Sequence, residues 1–166
     1  MQKIMFKDKF GLTEAVLEGR KTMTRRIVPD GTPLGNWAET ESKSRYKVGD
    51  VVAVAQSYMD AKVWSAPELP RAAWENKMFV KAELMPHQIR IMSIKAERLQ
   101  DISDQDCLKE GIYEVPFCNY SWTDNDLLLL FDTPREAFAA LIDKINGQGT
   151  WKTNPWVFAY EFKLTR

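Results

Sequence analysis

A cluster of basic and hydroxyl side chains near the amino terminus is the first candidate for chemistry. The segment Gly19–Arg26 (GRKTMTRR) places four cations within seven residues. Such a cluster can bind phosphate through charge-assisted hydrogen bonds. A buried lysine beside a threonine hydroxyl is also a possible base and nucleophile, because burial favours the neutral amine. Alternatively, these cations complement the end of a helix and stay solvated.

The spacing of Lys21 and Thr24 restricts how these two side chains can meet. A strand points successive residues to opposite faces, so residues three apart in a pure strand diverge. Lys21 and Thr24 therefore converge only if Lys21 belongs to the turn that precedes the strand. This condition is a structural prediction that the fold either meets or fails.

Glu110 is the second candidate, because its charge is in an unfavourable place. It ends a predicted helix, Ser103–Glu110, where the helix dipole disfavours a carboxylate by roughly 0.3–1 kcal/mol. Either a cation elsewhere in the fold compensates, or the carboxylate has a function, or the residue is one of the charges that surface helices tolerate. Lys109 beside it could offset the field.

The remaining chemistry-bearing residues favour structural roles. The tryptophans Trp64, Trp74, Trp122, Trp151 and Trp156 could stack on bases, but aromatic residues more often pack in the core. With one histidine and two cysteines, the sequence has no histidine-based metal cluster and no four-ligand zinc site. We therefore expect no metal and no cofactor.

The elements that must position these residues mix helices and strands. Thr133, Pro134 and Glu136 predict a capped helix to about Ile145, and Asp8 could cap a first helix of about ten residues. The alternation of apolar and polar residues, with one irregularity that suggests a bulge in the long strand, predicts strands at Thr22–Val28, Val51–Ala55, Lys77–Ala82, Gln88–Leu99 and Pro155–Leu164. This order predicts an α+β, barrel-like domain rather than a parallel sheet.

Length and composition limit the class of protein. The 166 residues suit one domain over 1–166, with irregular insertions near 29–43, 60–76 and 113–132. No apolar run approaches the ~20 residues of a membrane helix, and charges replace the apolar core of a signal peptide. We expect a soluble, cytoplasmic protein, with a monomer favoured. The 23 basic and 23 acidic residues mean that any nucleic-acid binding must come from a local patch.

Four blocks, taken together, resemble the ASCH family, whose small domains have a PUA-like β-barrel. The opening signature is AVLEGRKTMTRR, and the second block is YKVGDV. The third is ERLQDIS continued by EGI, and the close, which is similar to phage-type members, comprises Asn146-Gly147, Trp151, Asn154–Val157 and Glu161-Phe162. The resemblance implies a mixed β-barrel with a few flanking helices and a cleft used for RNA or nucleosides.

One branch of that family removes the acetyl group of N4-acetylcytidine with a Lys, a Thr and a Glu. The resemblance carries these roles onto Thr24 as nucleophile, Lys21 as base and Glu110 as proton shuttle. It makes RNA or a modified nucleoside the expected partner. The resemblance and the positions of the side chains together predict six binding residues: Arg20, Arg25, Arg26, Gln56, Tyr58 and Arg90.

One block departs from the family pattern. After the Gly-Asp turn, phage-type members often have an Arg and a Glu where this chain has Ala55 and Gln56, although Tyr58 could keep a stacking face. Three hypotheses follow. The domain binds RNA or a modified nucleoside, it is an amidohydrolase of an acylated nucleoside (with ribonuclease activity less favoured), or it is an interaction protein that uses exposed aromatic residues.

Overall fold

The computed structural model describes residues 1–64, 71–117, 119–123, 126 and 128–166. The predicted insertions near 60–76 and 113–132 therefore lie partly outside the described residues. Within those ranges, no helix combines the length and the apolar character needed to cross a membrane.

A sheet of five strands forms the centre of the fold. In chain order, its strands are β1 (Lys3–Ile4), β2 (Met23–Ile27), β3 (Val51–Val54), β4 (Gln88–Arg98) and, after a separate hairpin of β5 (Tyr113–Val115) and β6 (Asn119–Ser121), β7 (Trp156–Leu164). Their spatial order is β1-β3-β4-β7-β2; β1 pairs with β3 in parallel, and the other pairs are antiparallel. All of the predicted strands except Lys77–Ala82 are present.

The long central strand β4 carries the bulge that its irregular alternation predicts. Its register against β7 shifts between Ile91 and Ser93, so one extra residue sits on the β4 side. The bulge lets both Ile91 and Ile94 pack toward the core although they are three residues apart.

The prediction of a strand at Lys77–Ala82 is wrong. This segment forms two short 3-10 helices, Lys77–Phe79 and Ala82–Leu84. The side chain of Asn76 accepts a hydrogen bond from the Met78 amide at 2.9 Å, which closes a turn where a strand would need extended backbone.

Helices and a small hairpin surround the sheet. They are α1 (Leu12–Leu17), α2 (Trp37–Ser42), α3 (Asp104–Lys109), α4 (Pro134–Asn146) and α5 (Thr150–Thr153), with β5 (Tyr113–Val115) paired to β6 (Asn119–Ser121). The predicted α+β class is confirmed. Among the described residues, β1 and β2 are the two ends of an open series of strands, so the closed barrel stays a prediction.

The helix caps follow the sequence closely, except at the first helix. Thr133 accepts a hydrogen bond from the Glu136 amide at 3.1 Å, and Pro134 occupies the first turn of α4. The first helix begins later than predicted because Gly11, at φ +66°, separates a short 3-10 turn, Asp8–Phe10, from α1.

Two apolar clusters hold the layers together. The larger joins the sheet to α1, α3 and α4. The buried stripe of α4 contains the predicted residues Phe138, Leu141 and Ile142. The smaller packs β3 against the segment that contains the short 3-10 helices, with Tyr58 and Met85 at its centre. The first cluster supports the wall of the cavity described next.

Candidate functional site

A cavity of about 400 Å³ lies between β2, the end of α4 and the segment around Lys77. It brings together five of the nine predicted site residues, namely Lys21, Thr24, Arg25, Arg26 and Glu110. Its walls are mostly apolar and come from Phe6, Leu12, Ile27, Met78, Leu141 and Ile145. The sequence clusters around Gly19–Arg26 and Glu110 are therefore parts of one site.

Lys21 and Glu110 form a buried ion pair at this site. The Lys21 Nζ lies 2.6 Å from Glu110 Oε2, and the two residues are 3% and 4% exposed. The same ammonium group also donates to the backbone carbonyls of Glu110 and Met23, each at 2.8 Å. All three N–H groups of the ammonium are thus used, which is the most that a lysine can donate.

The local backbone explains how Lys21 and Thr24 come to share the cavity. Strand β2 begins only at Met23, and the Lys21 amide still bonds to the Ala15 carbonyl of α1 at 2.9 Å. Lys21 therefore belongs to the turn, as the convergence of these side chains requires. On the other side, Gly111 turns the chain at φ +105°, and a Cβ there would lie 3.7 Å from the Lys21 side chain.

Arg25 extends the ion pair into a network. Its Nη1 donates to Glu110 Oε1 at 3.0 Å, and its Nη2 donates to Glu97 at 2.7 Å and to Asp106 at 3.1 Å. Lys95, about half exposed, approaches both Glu97 and Asp106 at 3.4 Å. Three cations thus face three carboxylates, and the network is formally neutral.

The Arg25 side chain is wholly buried and is committed to these carboxylates. Its Nη1 and Nη2 groups already donate to these carboxylates, and its predicted role in binding stays a prediction. Its Nε–H has no acceptor within the described part of the chain. Sequence analysis missed both Glu97 and Asp106, although both lie within or beside the third family-like block.

Burial affects the protonation of Lys21. Desolvation lowers the pKa of Lys21 below its ordinary value, and the nearby Glu110 carboxylate opposes this shift without cancelling it. The neutral amine is therefore more accessible here than at the surface. In the arrangement observed, however, the group is a fully donated ammonium and has no lone pair to accept a proton.

Thr24 has an unused hydroxyl group. The residue is 5% exposed and lines the cavity, yet no group among the described residues hydrogen-bonds to its side chain. The Lys21 ammonium donates to other groups, so the predicted base and nucleophile line the same cavity without a hydrogen bond between them. A nearly buried hydroxyl without a protein partner is a natural contact for a ligand.

Basic side chains border the opening of the cavity. Arg26 lies with its guanidinium 5.8 Å from the centre of the Phe6 ring and donates to the Met5 carbonyl at 2.8 Å. Lys77 pairs with Asp8 at 2.6 Å. Neither Phe6 nor Lys77 was identified from the sequence, because an isolated Phe and Lys carry no motif.

Two of the predicted binding arginines lie outside this cavity. Arg20 pairs with Glu18 at 2.6 Å and lies over the ring of Tyr113, so it belongs to a separate surface groove. Arg90 is exposed on β4 and donates to the Gly49 carbonyl at 3.1 Å. The fold therefore places neither arginine at the cavity that Lys21 lines, and their predicted role in binding stays a prediction.

Gln56 and Tyr58 are also displaced from the site. Gln56 lines a different groove, beside Thr13, where its Oε1 has no partner among the described residues. Tyr58 is fully buried in the smaller apolar cluster, and its hydroxyl accepts a hydrogen bond from the Lys81 amide at 2.8 Å. Its ring cannot stack on a ligand, because protein atoms cover it.

The described residues contain no group of three or more His, Cys, Asp or Glu side chains arranged to hold a metal ion. The carboxylates Glu97, Asp106 and Glu110 instead converge on a guanidinium. For chemistry, the site therefore offers the Thr24 hydroxyl and the buried ion network of Lys21, Arg25 and Glu110, which line the same mostly apolar cavity.

No known family profile matches the sequence, and no curated protein matches it. Among solved structures, the chain is similar to an ASCH domain from Lactobacillus crispatus JV V101, with a TM-score of 0.47 and 13% identity over 95% of this chain and 72% of that one. It is also similar to a DUF984 protein from Enterococcus faecalis V583, with a TM-score of 0.46 and 13% identity over 93% and 67%. At these values, membership of the ASCH family stays the prediction made from the sequence.

Proposed function

We propose that this cavity binds a nucleoside, either free or within RNA, and that Thr24 contacts it directly. The observation that carries the proposal is the Thr24 hydroxyl, which lines the cavity beside the buried Lys21–Glu110 pair and has no hydrogen-bond partner among the described residues. A volume of about 400 Å³ falls within the usual range of roughly 300–1,000 Å³ for small-molecule sites. The resemblance of the sequence to ASCH domains supports the same class of ligand.

The lining suits a planar, polar-edged ligand. Apolar side chains such as Leu141, Ile145 and Met78 can cover the faces of a base, whereas Thr24, Asn76 and Asn146 offer hydrogen bonds to its edges. Mostly apolar walls with a few placed polar groups are typical of small-molecule sites.

Amide hydrolysis of an acylated nucleoside is the second candidate, favoured by the proximity of Thr24 to the Lys21–Glu110 pair. Lys21 would first pass one proton to Glu110, because its ammonium has no lone pair. The Thr24 hydroxyl would then give its proton to Lys21 as its oxygen bonds to the acetyl carbon. When the C–N bond breaks, Glu110 would donate its proton to the departing amino nitrogen of the nucleobase. Water would then hydrolyse the acetyl-threonine ester to acetate.

The test compares Thr24→Val with Thr22→Val, a matched control just outside the cavity. Binding of cytidine and N4-acetylcytidine is measured by calorimetry, and release of cytidine and acetate by chromatography. Loss of one hydrogen bond, worth about 0.5–1.5 kcal/mol, weakens binding roughly two- to tenfold. We expect this loss in Thr24→Val and none in Thr22→Val.

The outcomes separate the two candidates. Binding without turnover supports the binding function alone. Turnover that disappears in Thr24→Val supports the amidohydrolase. If these ligands bind equally well to Thr24→Val and wild type, or bind to neither, the proposed site is wrong.

A further inference from the structure

A second cavity of about 270 Å³ adjoins the first. The two share Met5, Arg26 and Ile27, so Arg26 stands at their common border. The register of β2 against β7 explains this position, because Thr24 pairs with Tyr160 and Arg26 pairs with Phe158. Paired residues project to the same face of a sheet, which places both cavities along that face.

The charged side chains that line the second cavity are positive. Of the described residues that line it, four are cations (Lys3, Arg26, Lys43 and Arg45) and none carries a carboxylate. Within the described residues, none of the four forms an ion pair with an Asp or Glu, in contrast to Lys21, Arg25 and Lys77. In a chain of zero net charge, this local excess of positive charge is a specific feature of the surface beside the first cavity.

The two arginines are held in place by aromatic rings rather than by carboxylates. The guanidinium of Arg26 lies 5.8 Å from the Phe6 ring centre, and that of Arg45 lies 5.4 Å from the Tyr46 ring centre. The Arg45 backbone amide also donates to the Tyr160 hydroxyl at 3.2 Å. A guanidinium stacked on a ring keeps its N–H groups free for hydrogen bonding, and in Arg26 one Nη2 hydrogen is already used by the Met5 carbonyl.

We infer that the second cavity binds a phosphate group attached to the nucleoside in the first cavity, so that the ligand is a nucleotide. This inference rests on the proposed function. Arginines without carboxylate partners match the geometry and charge of phosphate oxygens. Because Arg26 borders both cavities, it can contact the phosphate at the point where it joins the nucleoside. A free nucleotide and a nucleotide within an RNA strand share this chemistry.

The experiment measures affinity by calorimetry for the four common nucleosides, their 5′- and 3′-monophosphates, and a short single-stranded RNA. The probing variant is Arg45→Gln, which alters only the second cavity. Arg98→Gln is the matched control, because Arg98 is exposed and lies over the Trp156 ring at 4.9 Å, away from both cavities. Thr24→Val reports separately on the first cavity.

In the wild type, we expect a monophosphate to bind about tenfold more tightly than its nucleoside. Arg45→Gln should reduce this preference and leave nucleoside affinity unchanged, whereas Arg98→Gln should keep the preference in full. Added salt should weaken the binding of the monophosphate and leave the binding of the nucleoside unchanged, because only the monophosphate forms ionic contacts. If RNA binds more tightly than every monophosphate, the ligand is a nucleotide within an RNA strand. If RNA binds equally or more weakly, the ligand is a free nucleotide.

The results distinguish the two proposals. Equal affinity for nucleosides and monophosphates, with sensitivity to Thr24→Val, overturns the phosphate site and leaves the proposed function standing. Monophosphate binding that is insensitive to Arg45→Gln also overturns the phosphate site. Binding that depends on Arg45 and not on Thr24 overturns the proposed function instead. An absence of binding by all of these ligands overturns both.

Discussion

Replacement of Arg25 by Met tests the buried ion network most directly. The side chain is fully buried and donates to Glu97, Asp106 and Glu110. In the variant, Glu110 keeps Lys21, whereas the one cation that Glu97 and Asp106 keep among the described residues is Lys95, which lies 3.4 Å away and is half exposed. Three carboxylates would then face two cations in a region that is largely closed to water.

The expected cost follows from that imbalance. Removing one partner from a buried ion pair destabilises a protein by about 3–5 kcal/mol, because the remaining charge loses both water and partner. Total stability of a domain is only about 5–15 kcal/mol. With a urea dependence of about 1–3 kcal/mol per molar, the unfolding midpoint should fall by about 2 M.

The assay is equilibrium urea unfolding followed by tryptophan fluorescence, with Arg90→Met as the control. Arg90 is exposed and its side chain donates to the Gly49 carbonyl, a surface contact, so its replacement should change stability by less than about 0.5 kcal/mol. Adding Glu97→Gln to Arg25→Met should recover part of the loss, because it restores the charge balance. If Arg25→Met costs no more than Arg90→Met, or if the two substitutions simply add, the network does not stabilise the fold as argued.

Three further outcomes are expected. Ser103→Ala should cost about 1 kcal/mol in the same urea assay, because the Ser103 hydroxyl caps α3 through the Asp106 amide at 3.1 Å. Burial raises the pKa of Cys107 to about 12, so in a Cys118→Ser background iodoacetamide at pH 8 should modify the thiol only after unfolding. Burial lowers the pKa of Lys21 in the folded protein. Between this lowered pKa and the ordinary value of 10.5, the unfolded chain binds more protons than the folded one, so the free energy of unfolding should rise with pH. We expect this rise to be steeper in the wild type than in Lys21→Met. Equal slopes in the two proteins would contradict this.

Local features of the fold were predictable because the sequence encodes them locally. The caps at Thr133 and Ser103 depend on residues within three positions, and the structure forms both hydrogen bonds. The same holds for the bulge in β4, which a break in the alternation of side chains indicates. The condition that Lys21 remain in the turn also follows from strand geometry alone.

Long-range partners were not predictable in the same way. Glu97 and Asp106 reach Arg25 across 72 and 81 residues, and nothing in the periodicity of either segment marks a carboxylate as buried. Tyr58 was assigned to the site because it lies in the block after the Gly-Asp turn, where the resemblance suggested a stacking face. Its burial depends on packing by the segment beyond residue 70, which the sequence did not position.

The position of one proton separates the two functions proposed for the first cavity. In the unliganded chain, the Lys21 ammonium donates to Glu110 and to two carbonyls, so it can hold a charge but cannot accept a proton from Thr24. Binding requires no change in this arrangement, because Thr24 can donate to a ligand as it stands. Hydrolysis requires Lys21 to become neutral first, which its lowered pKa makes easier but which the contact with Glu110 opposes. The geometry therefore supports binding more directly than catalysis, and a catalytic ligand would have to change the contacts of the ammonium itself.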